Sequence, residues 1–150
     1  MYRFIPAKEG HIPALIADMA PDTKNELEAL RPGELLSTVR QCICDSTEAW
    51  SAFDNGKLIC CFGITRKTLL SDTGHPWIIV TNRLQKHKKD FLYLSKIGIK
   101  YWLIKYGRLE NWVPVGFDKI LRWIKWAGFT VYPAEQVSDG RMFHRIEMRK

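Results

Sequence analysis

The chain has 150 residues, of which 46% are hydrophobic and 26% are charged. These values are typical of one globular unit with its own core, so we expect a single domain over residues 1–150. The opening MYRFIPAKEG lacks the apolar stretch of a signal peptide, and no apolar run approaches the roughly 20 residues that cross a bilayer, so we expect no membrane span. The net charge of +7 favours nucleic acid, anionic cofactors or acidic proteins without choosing among them.

The spacing of cysteines and histidines predicts no metal site. Cys42 and Cys44 are two residues apart and Cys60 and Cys61 are adjacent, so there is no Cys-x-x-Cys pair. On a strand, neighbouring side chains point to opposite faces, and we interpret the cysteines as small buried hydrophobes. No zinc-finger spacing or glycine-lysine phosphate loop indicates nucleic-acid or nucleotide binding. The histidines are scattered along the chain, at His11, His75, His87 and His144.

The first part of the chain predicts a short strand, several helices and a hairpin. Pro6 ends the first strand, and Pro21 breaks a long stretch of helical spacing. Asn55 and Gly56 suit a type I′ turn between two strands. The predicted elements are a strand over Tyr2 to Ile5, two helices over His11 to Leu30, a helix over Pro32 to Asp45, and strands over Ala49 to Phe53 and Lys57 to Ile64.

The second part predicts strands that alternate with two longer helices. Pro76 places the start of the next strand at Trp77, because proline cannot donate a ladder hydrogen bond. Gly107 and Gly128 stand where a left-handed residue ends a helix. The predicted elements are a strand over Trp77 to Thr81, a helix over Lys88 to Tyr106, a strand over Leu109 to Val115, a helix over Phe117 to Ala127, and strands over Phe129 to Tyr132 and Met142 to Met148, joined by a loop around Ser138-Asp139-Gly140.

These elements predict an α/β (α+β) fold with a mixed, mainly antiparallel sheet flanked by helices. Their order is β-α-α-β-β-β-α-β-α-β-β. In the helix over Lys88 to Tyr106, the stripe through Leu94 and Ile97 is expected to face the sheet. The residues expected in the core are Ile64, Ile78, Val80, Leu94, Ile97, Ile120, Ile124 and Phe129.

This order of elements resembles the GNAT acyltransferase fold, in which the helix before the sixth strand ends in a Gly-Phe pair, here Gly128-Phe129. From Arg31 to Met148 the chain also resembles a phage family of GNAT-like proteins that includes an internal virion protein of short-tailed coliphages. The resemblance implies a protein of the host cytoplasm or the virion, with other virion proteins or a host protein as partners. It is carried by Arg31-Pro32-Gly33-Glu34, Ser46, Ala49-Trp50, Phe62-Gly63, Gly74-His75-Pro76-Trp77, Phe91-Leu92, Leu109-Glu110-Asn111, Arg122 to Phe129 and Phe143 to Met148.

The GNAT resemblance implies a pyrophosphate site for coenzyme A after the fourth strand. Such enzymes use backbone N–H groups of an Arg/Gln-x-x-Gly-x-Gly/Ala turn at a helix N-terminus. Here Arg83 matches the first position, but Lys86 and Lys88 occupy the glycine positions. Two interpretations stay open: a lysine-modified phosphate site, or a basic solvated turn. If acetyl-CoA binds, the resemblance implies a site made of Val80, Thr81, Arg83, Lys86 and Lys88.

Acetyl transfer also needs a base for the amine and an acid for the leaving thiolate. The resemblance aligns Ile124 and Phe117 with positions where many family enzymes keep a tyrosine and an asparagine, so both polar roles are unfilled. His75 remains as a candidate base, and Tyr132 or Tyr101 remains as a candidate proton donor if it faces the cleft. A histidine beside proline also has a purely structural interpretation.

The helix over Phe117 to Ala127 suggests a partner surface. Trp123 and Trp126 cannot both lie at the centre of one apolar stripe. We therefore interpret Lys119, Arg122 and Trp126 as candidates for binding a protein or stacking on a nucleic-acid base. Alternatively, Trp126 shields the sheet edge while the charges are solvated.

Two functions follow from these observations. In the first, a phage GNAT-fold protein has lost efficient acetyl transfer, requires no cofactor, and acts through protein contacts as a virion-associated or assembly protein. In the second, the chain is an active acetyl-CoA-dependent N-acetyltransferase that modifies a host protein or a small amine. DNA contact by the basic surface is a third hypothesis, which predicts binding that weakens steeply with salt.

Overall fold

A computed structural model describes residues 1–137 and 139–150. Ser138, in the predicted loop before the last strand, lies outside the described residues. The helices are α1 Ile12–Ala17, α2 Pro21–Leu30, α3 Leu35–Asp45, α4 Lys88–Tyr106 and α5 Asp118–Ala127, with 3-10 turns at Glu9–His11 and Asn82–His87. The strands are β1 Tyr2–Pro6, β2 Glu48–Asp54, β3 Lys57–Thr65, β4 Thr73–Val80, β5 Arg108–Pro114, β6 Thr130–Val131, β7 Glu135–Gln136 and β8 Met142–Arg149.

The strands form one sheet in the order β1-β2-β3-β4-β5-β8-β6, and β7 also pairs with β8. The β4–β5 pair is parallel, and the other pairs in the described sheet are antiparallel. The predicted fold class is therefore confirmed. The three helices predicted for the first helical region, with breaks before Pro21 and around Pro32, are confirmed, and only the summarised element order, which gave two helices there, was one helix short. None of the described helices is long and apolar enough to cross a membrane.

Local backbone signals in the sequence correspond closely to the structure. Asn55 and Gly56 have positive φ angles of 51° and 77° in the turn between β2 and β3, as a type I′ hairpin requires. Gly107 and Gly128 end α4 and α5 with φ angles of 80° and 111°. The predicted hairpin and both helix ends are confirmed.

The start of β4 differs from the prediction that Pro76 would delay it to Trp77. The strand begins at Thr73 and pairs with β3 through His75 and Pro76. Thr81 N donates to Ile59 O at 2.9 Å, so the peptide groups of Thr81 face β3. Peptide groups alternate in direction along a strand, so those of Pro76, an odd number of positions away, face β5. Since β4 and β5 have separated there, the strand loses no ladder hydrogen bond at the proline.

Hydrophobic side chains cover both faces of the sheet. Helices α1, α2 and α3 pack on one face around Leu15, Val39 and Ile79, while α4 and α5 pack on the other. Cys60 and Cys61 are buried in clusters on opposite faces, as expected for neighbours on a strand. Describing every cysteine as buried was wrong, because Cys44 is exposed on α3.

The eight residues expected in the core have three different environments. Their degree of burial depends on how the long helix α4 is rotated about its axis. Buried are Ile64, Ile124 and Phe129; half-buried are Ile78, Val80 and Ile120; exposed are Leu94 and Ile97.

The prediction that Leu94 and Ile97 are buried was wrong for two different reasons: Leu94 lines an open cavity, whereas Ile97 lies on a stripe that α4 turns away from the sheet. The buried residues of α4 are Ile99, Trp102 and Tyr106, whereas Leu94 and Ile97 are 39% and 50% exposed. Both stripes are apolar, so periodicity alone could not distinguish them. Packing of the large Trp102 ring against the sheet decides which stripe faces inward.

Candidate functional site

The candidate site is a cleft between the parallel strands β4 and β5. The two strands pair only at Thr73 with Arg108 and at Gly74 with Leu109, and they then separate. Two polar contacts span the beginning of the gap: Asn111 Nδ2 donates to Pro76 O at 2.7 Å, and His75 Nδ1 lies 2.9 Å from Glu110 O. Beyond these contacts the sheet is open toward the carboxyl ends of both strands, where ligands often enter α/β proteins.

The chain itself covers the far end of the open β4 edge. The alternation along β4 points the peptide groups of Ile78 and Val80 toward the cleft. Ala20 N donates to Val80 O at 3.0 Å, and Asn82 N donates to Asp18 O at 2.9 Å. The connection between α1 and α2 therefore leaves only a short length of β4, around Ile78, available to a ligand.

The cleft widens into a cavity of about 410 Å³ that reaches both faces of the sheet. Its wall is largely apolar and includes side chains from four helices. On the face of α2 and α3 it contains Glu26 and Thr38, and on the face of α4 and α5 it contains Gly98 and Trp123. A cavity of this size lies within the range of small-molecule sites.

Glu26 is the titratable group that distinguishes this cavity. It is half-buried, and it has no hydrogen-bond or ion-pair partner within the described residues. Burial raises the pKa of the Glu26 carboxyl to about 7, because an apolar wall disfavours the charged form. A carboxyl group with such a pKa can gain or lose a proton near neutral pH, as a general acid or base must.

Sequence reasoning missed Glu26, because the search for a base was confined to strand four and the known family positions. A signal was present in the spacing of α2. Thr23, Glu26, Leu27 and Leu30 recur at helical intervals of three and four, and Thr23 and Leu27 are buried. A glutamate on an otherwise inward-facing stripe is a candidate for a perturbed pKa.

The residues proposed for a phosphate site are used for structure at the start of the turn after β4. Thr81 is buried, and its Oγ1 donates to the carbonyl oxygens of Leu58 and Ile59 at 2.9 and 2.8 Å. Arg83 pairs with Asp18 at 2.8 Å. Val80 packs in an apolar cluster. These three positions therefore have protein partners already.

The N-terminus of α4, where a pyrophosphate would bind, carries acidic and aromatic side chains. Asp90 lies in the first turn and accepts a hydrogen bond from Tyr2 Oη at 2.5 Å. The same hydroxyl lies 2.7 Å from His87 Nδ1, and His87 Nε2 lies 3.5 Å from Asp54 Oδ2. The hydrogen bond to Asp90 raises the pKa of Tyr2 to about 12, so the hydroxyl stays protonated and continues to donate.

This arrangement does not fit the pyrophosphate of coenzyme A. Asp90 already complements the positive end of the helix dipole, and an added phosphate would be repelled by its carboxylate. Lys86 and Lys88 are exposed and stand where glycines would allow close backbone approach. The turn itself is a 3-10 helix, in which backbone N–H groups point along the chain to carbonyl groups three residues earlier.

The candidate catalytic residues lie in different surroundings. His75 lines the cavity, where its Nδ1 contacts the Glu110 carbonyl. Tyr132 is absent from the cavity wall; its hydroxyl donates to Glu147 Oε1 at 3.0 Å, and Arg145 stacks 3.9 Å from its ring centroid. Tyr101 is exposed on α4, so of these candidates His75 alone shares the cavity wall with Glu26.

A second carboxylate, Glu147, forms a fully paired cluster on β8. Its oxygens lie 2.6 Å from Arg108, 3.2 Å from Arg149 and 3.3 Å from Arg145. Hydrogen bonds from Arg149 and then Arg108 lower the pKa of Glu147 to about 2. This cluster joins β5 to β8 and has a structural role. Among residues 1–137 and 139–150, no three histidine, cysteine, aspartate or glutamate side chains gather as metal ligands would.

The predicted partner residues Lys119, Arg122 and Trp126 are exposed along α5. Trp126 is 46% exposed, and Lys96 Nζ of α4 lies 4.2 Å from its ring centroid. Next to this contact, α4 presents a row of apolar side chains to solvent, which are 50 to 68% exposed. The row comprises Tyr93, Ile97, Tyr101 and Ile104. We call this row, together with Lys119, Arg122 and Trp126, the α4–α5 surface.

Solved structures identify the class to which this fold belongs. An aminoglycoside N(6')-acetyltransferase from Legionella pneumophila superimposes with a TM-score of 0.72 over 99% of this chain and 91% of its own, at 10% identity. The ribosomal-protein-S18-alanine N-acetyltransferase of Escherichia coli gives 0.67 over 99% and 94%, at 13% identity. A GNAT-family acetyltransferase from Streptococcus pneumoniae gives 0.64 over 99% of each chain, at 14% identity.

The chain therefore has the fold of GNAT acetyltransferases, as the sequence predicted. No protein-family model matches the chain, and no curated protein sequence matches it either. At 10 to 14% identity the similarity concerns the fold, and function must be argued from the residues of the site.

Proposed function

We propose that this chain is a GNAT-fold protein without efficient acetyl transfer, and that it acts by binding other proteins. The observation that carries this proposal is the closed N-terminus of α4, where Tyr2, His87 and Asp90 form a hydrogen-bonded cluster. Coenzyme A would have to place its pyrophosphate beside Asp90 and Asp54. The covered edge of β4 at Val80 supports the same conclusion, because it shortens the backbone that an extended cofactor could pair with.

The α4–α5 surface supports the second part of the proposal. Large exposed apolar side chains next to a tryptophan are typical of protein-binding surfaces. Lys119 and Arg122 add positive charge, which favours an acidic partner. Following the phage resemblance, the proposed partners are other virion proteins during assembly, with a host protein as the alternative.

Calorimetric titration with acetyl-CoA and with coenzyme A, at low and moderate salt, tests the first part. We expect no measurable heat of binding at millimolar cofactor. The double variant Tyr2→Phe with Asp90→Asn removes the cluster and one negative charge, so it should bind coenzyme A more tightly than the native chain. Micromolar binding by the native chain that persists at moderate salt would overturn the proposal.

The N-acetyltransferase function is the second candidate, and Glu26 is the observation that favours it. A carboxyl with a pKa of about 7 in the cleft could accept the proton of an amine. Release of free thiol from acetyl-CoA, measured with a panel of amines, would support this function if Glu26→Gln abolished it. Loss of a thermal shift by acetyl-CoA in Lys86→Glu would further assign Lys86 to the pyrophosphate.

A further inference from the structure

Gly98 stands in the middle of α4, and it faces open space. A Cβ atom built at this position would meet no other atom within 4 Å. Glycine inside a helix is less favourable than alanine, so the local helix gains nothing from it. Gly98 lies in the wall of the cavity beneath α4. The absence of a side chain at Gly98 therefore keeps part of the cavity open. The outer face of the same helix carries large side chains.

Two buried polar atoms in the cavity wall lack hydrogen-bond partners within the described residues. They are Trp123 Nε1 on α5 and Thr38 Oγ1 on α3. Thr38 is 7% exposed, so bulk water does not readily reach its hydroxyl group to form a hydrogen bond. An indole N–H can only donate, and a buried donor without an acceptor is unfavourable. An oxygen atom on a bound molecule would satisfy Trp123.

The charge of the wall restricts what can bind. The protein has 23 lysine and arginine residues, yet none of the described residues that line the cavity is one of them. The two histidines of the wall, His75 and His87, already contact Glu110 O and the Tyr2 hydroxyl. A carboxylate or phosphate would therefore enter an apolar space without a free cationic partner among the described residues, which is strongly unfavourable. The acidic residues Glu26 and Asp90 in the wall oppose an anion further.

We propose that this cavity binds an elongated, uncharged apolar molecule with one hydrogen-bond-accepting oxygen, such as a medium-chain alcohol or ester. The apolar body lies beneath α4 beside Gly98, and the oxygen accepts from Trp123 Nε1. The extent of the cavity, from β1 through the gap between β4 and β5 to α2, suits a chain-like molecule. The inference goes beyond the proposed function and does not require acetyl-CoA to bind.

The first test is displacement of the fluorescent probe N-phenyl-1-naphthylamine by four ligands with the same chain: 1-decanol, decane, decanoate and decylamine. We expect 1-decanol to displace the probe at about fivefold lower concentration than decane, since one neutral hydrogen bond separates them. Trp123→Phe should remove this advantage while leaving displacement by decane unchanged. Strongest displacement by decanoate or by decylamine would overturn the proposal of an uncharged ligand.

The second test fills the cavity without disturbing the fold. Gly98→Leu should weaken probe binding at least tenfold and leave the melting temperature equal or higher, because leucine favours the helix. Ile104→Glu, on the exposed row of α4, is the matched control and should bind the probe like the native chain. Native binding by Gly98→Leu would overturn the proposal, and so would loss of binding in Ile104→Glu, which would place the probe on the outer surface.

Acetyl-CoA added to the same assay separates this inference from the proposed function. Displacement of the probe by 1-decanol but not by acetyl-CoA supports both. Displacement by acetyl-CoA together with 1-decanol would overturn the proposed loss of cofactor binding and leave the apolar site standing. Failure of 1-decanol to displace the probe would overturn the apolar site alone.

Discussion

The paired cluster on β5 and β8 and the wall of the cavity surround their polar groups differently. On the side of β5 and β8, Glu147 is surrounded by arginines, and α5 has a clear division between buried Leu121 and Ile124 and its charged outer face. In the cavity wall, Glu26 has no partner within the described residues, and Gly98 faces empty space. The comparison indicates that the β5–β8 cluster is organised for stability, whereas the cavity wall leaves room for a bound molecule.

The two carboxyl groups show the difference most directly. Burial without a partner raises the pKa of Glu26 to about 7, whereas Arg149 and Arg108 lower that of Glu147 to about 2. Both groups belong to the same fold, one on α2 and the other on β8. The presence of nearby hydrogen-bond donors, more than burial itself, decides whether the ionised or the protonated carboxyl group is favoured.

The largest expected effect concerns the packing of α5 on the sheet. Ile124→Ala should lower the free energy of unfolding by about 2 to 5 kcal/mol, because Ile124 is buried between α5 and the sheet and the cavity left behind cannot collapse fully. Lys125→Ala, one residue further on the exposed face, should change it by less than about 0.5 kcal/mol. Urea denaturation measures both. Similar losses for the two variants would contradict the assignment of faces on α5.

Glu26→Gln should stabilise the protein above neutral pH. Between pH 4.5 and 7 the folded state holds a proton that the unfolded state has released, so stability falls as the pH rises through this window. Glutamine cannot ionise, so the variant does not lose stability in this window. It should be more stable than the native chain by up to about 3 kcal/mol at pH 8, with little difference at pH 4. Thermal denaturation at the two pH values checks it. An equal effect at both would show that Glu26 is not a buried, unpaired carboxyl group.

Glu147 should produce the opposite dependence on pH. Its folded pKa lies below the ordinary value of 4.5, so the ionised form stabilises the protein above that value, and this contribution is lost as the pH falls toward 2. The native chain should therefore lose stability between pH 4.5 and 2, and Glu147→Gln should show a flatter profile in that range. A profile unchanged by the substitution would assign the acid sensitivity to other groups.

The smallest expected effect concerns Gly98 in the cavity wall. Gly98→Ala should raise the free energy of unfolding by about 0.5 to 1 kcal/mol, because alanine favours the helix and its Cβ meets no atom. Gly74→Ala is the contrasting glycine, since a Cβ there would lie 2.5 Å from Ile64 Cδ1. It should destabilise the protein. Calorimetric melting of the two variants distinguishes an open from a filled position.

Much of the fold followed from local signals in the sequence. The Asn55-Gly56 turn and the glycines that end α4 and α5 adopt the positive φ angles that their residue types favour, so these features need no tertiary information. The amphipathic pattern of α5 was likewise sufficient to place Ile124 inward. The element order then pointed to the GNAT fold, which the solved structures support.

Other features were decided by tertiary structure alone. Helix α4 is apolar on two stripes, so only packing selected Trp102 over Ile97 for the inner face. Pro76 could enter β4 because the neighbouring strand separates there, which no local pattern reveals. The pKa of Glu26 and the contact of Tyr2 with Asp90 depend on groups brought together from distant parts of the chain. Sequence thus determined where the chain turns and which elements form, whereas burial and long-range contacts determined the chemistry of the cleft.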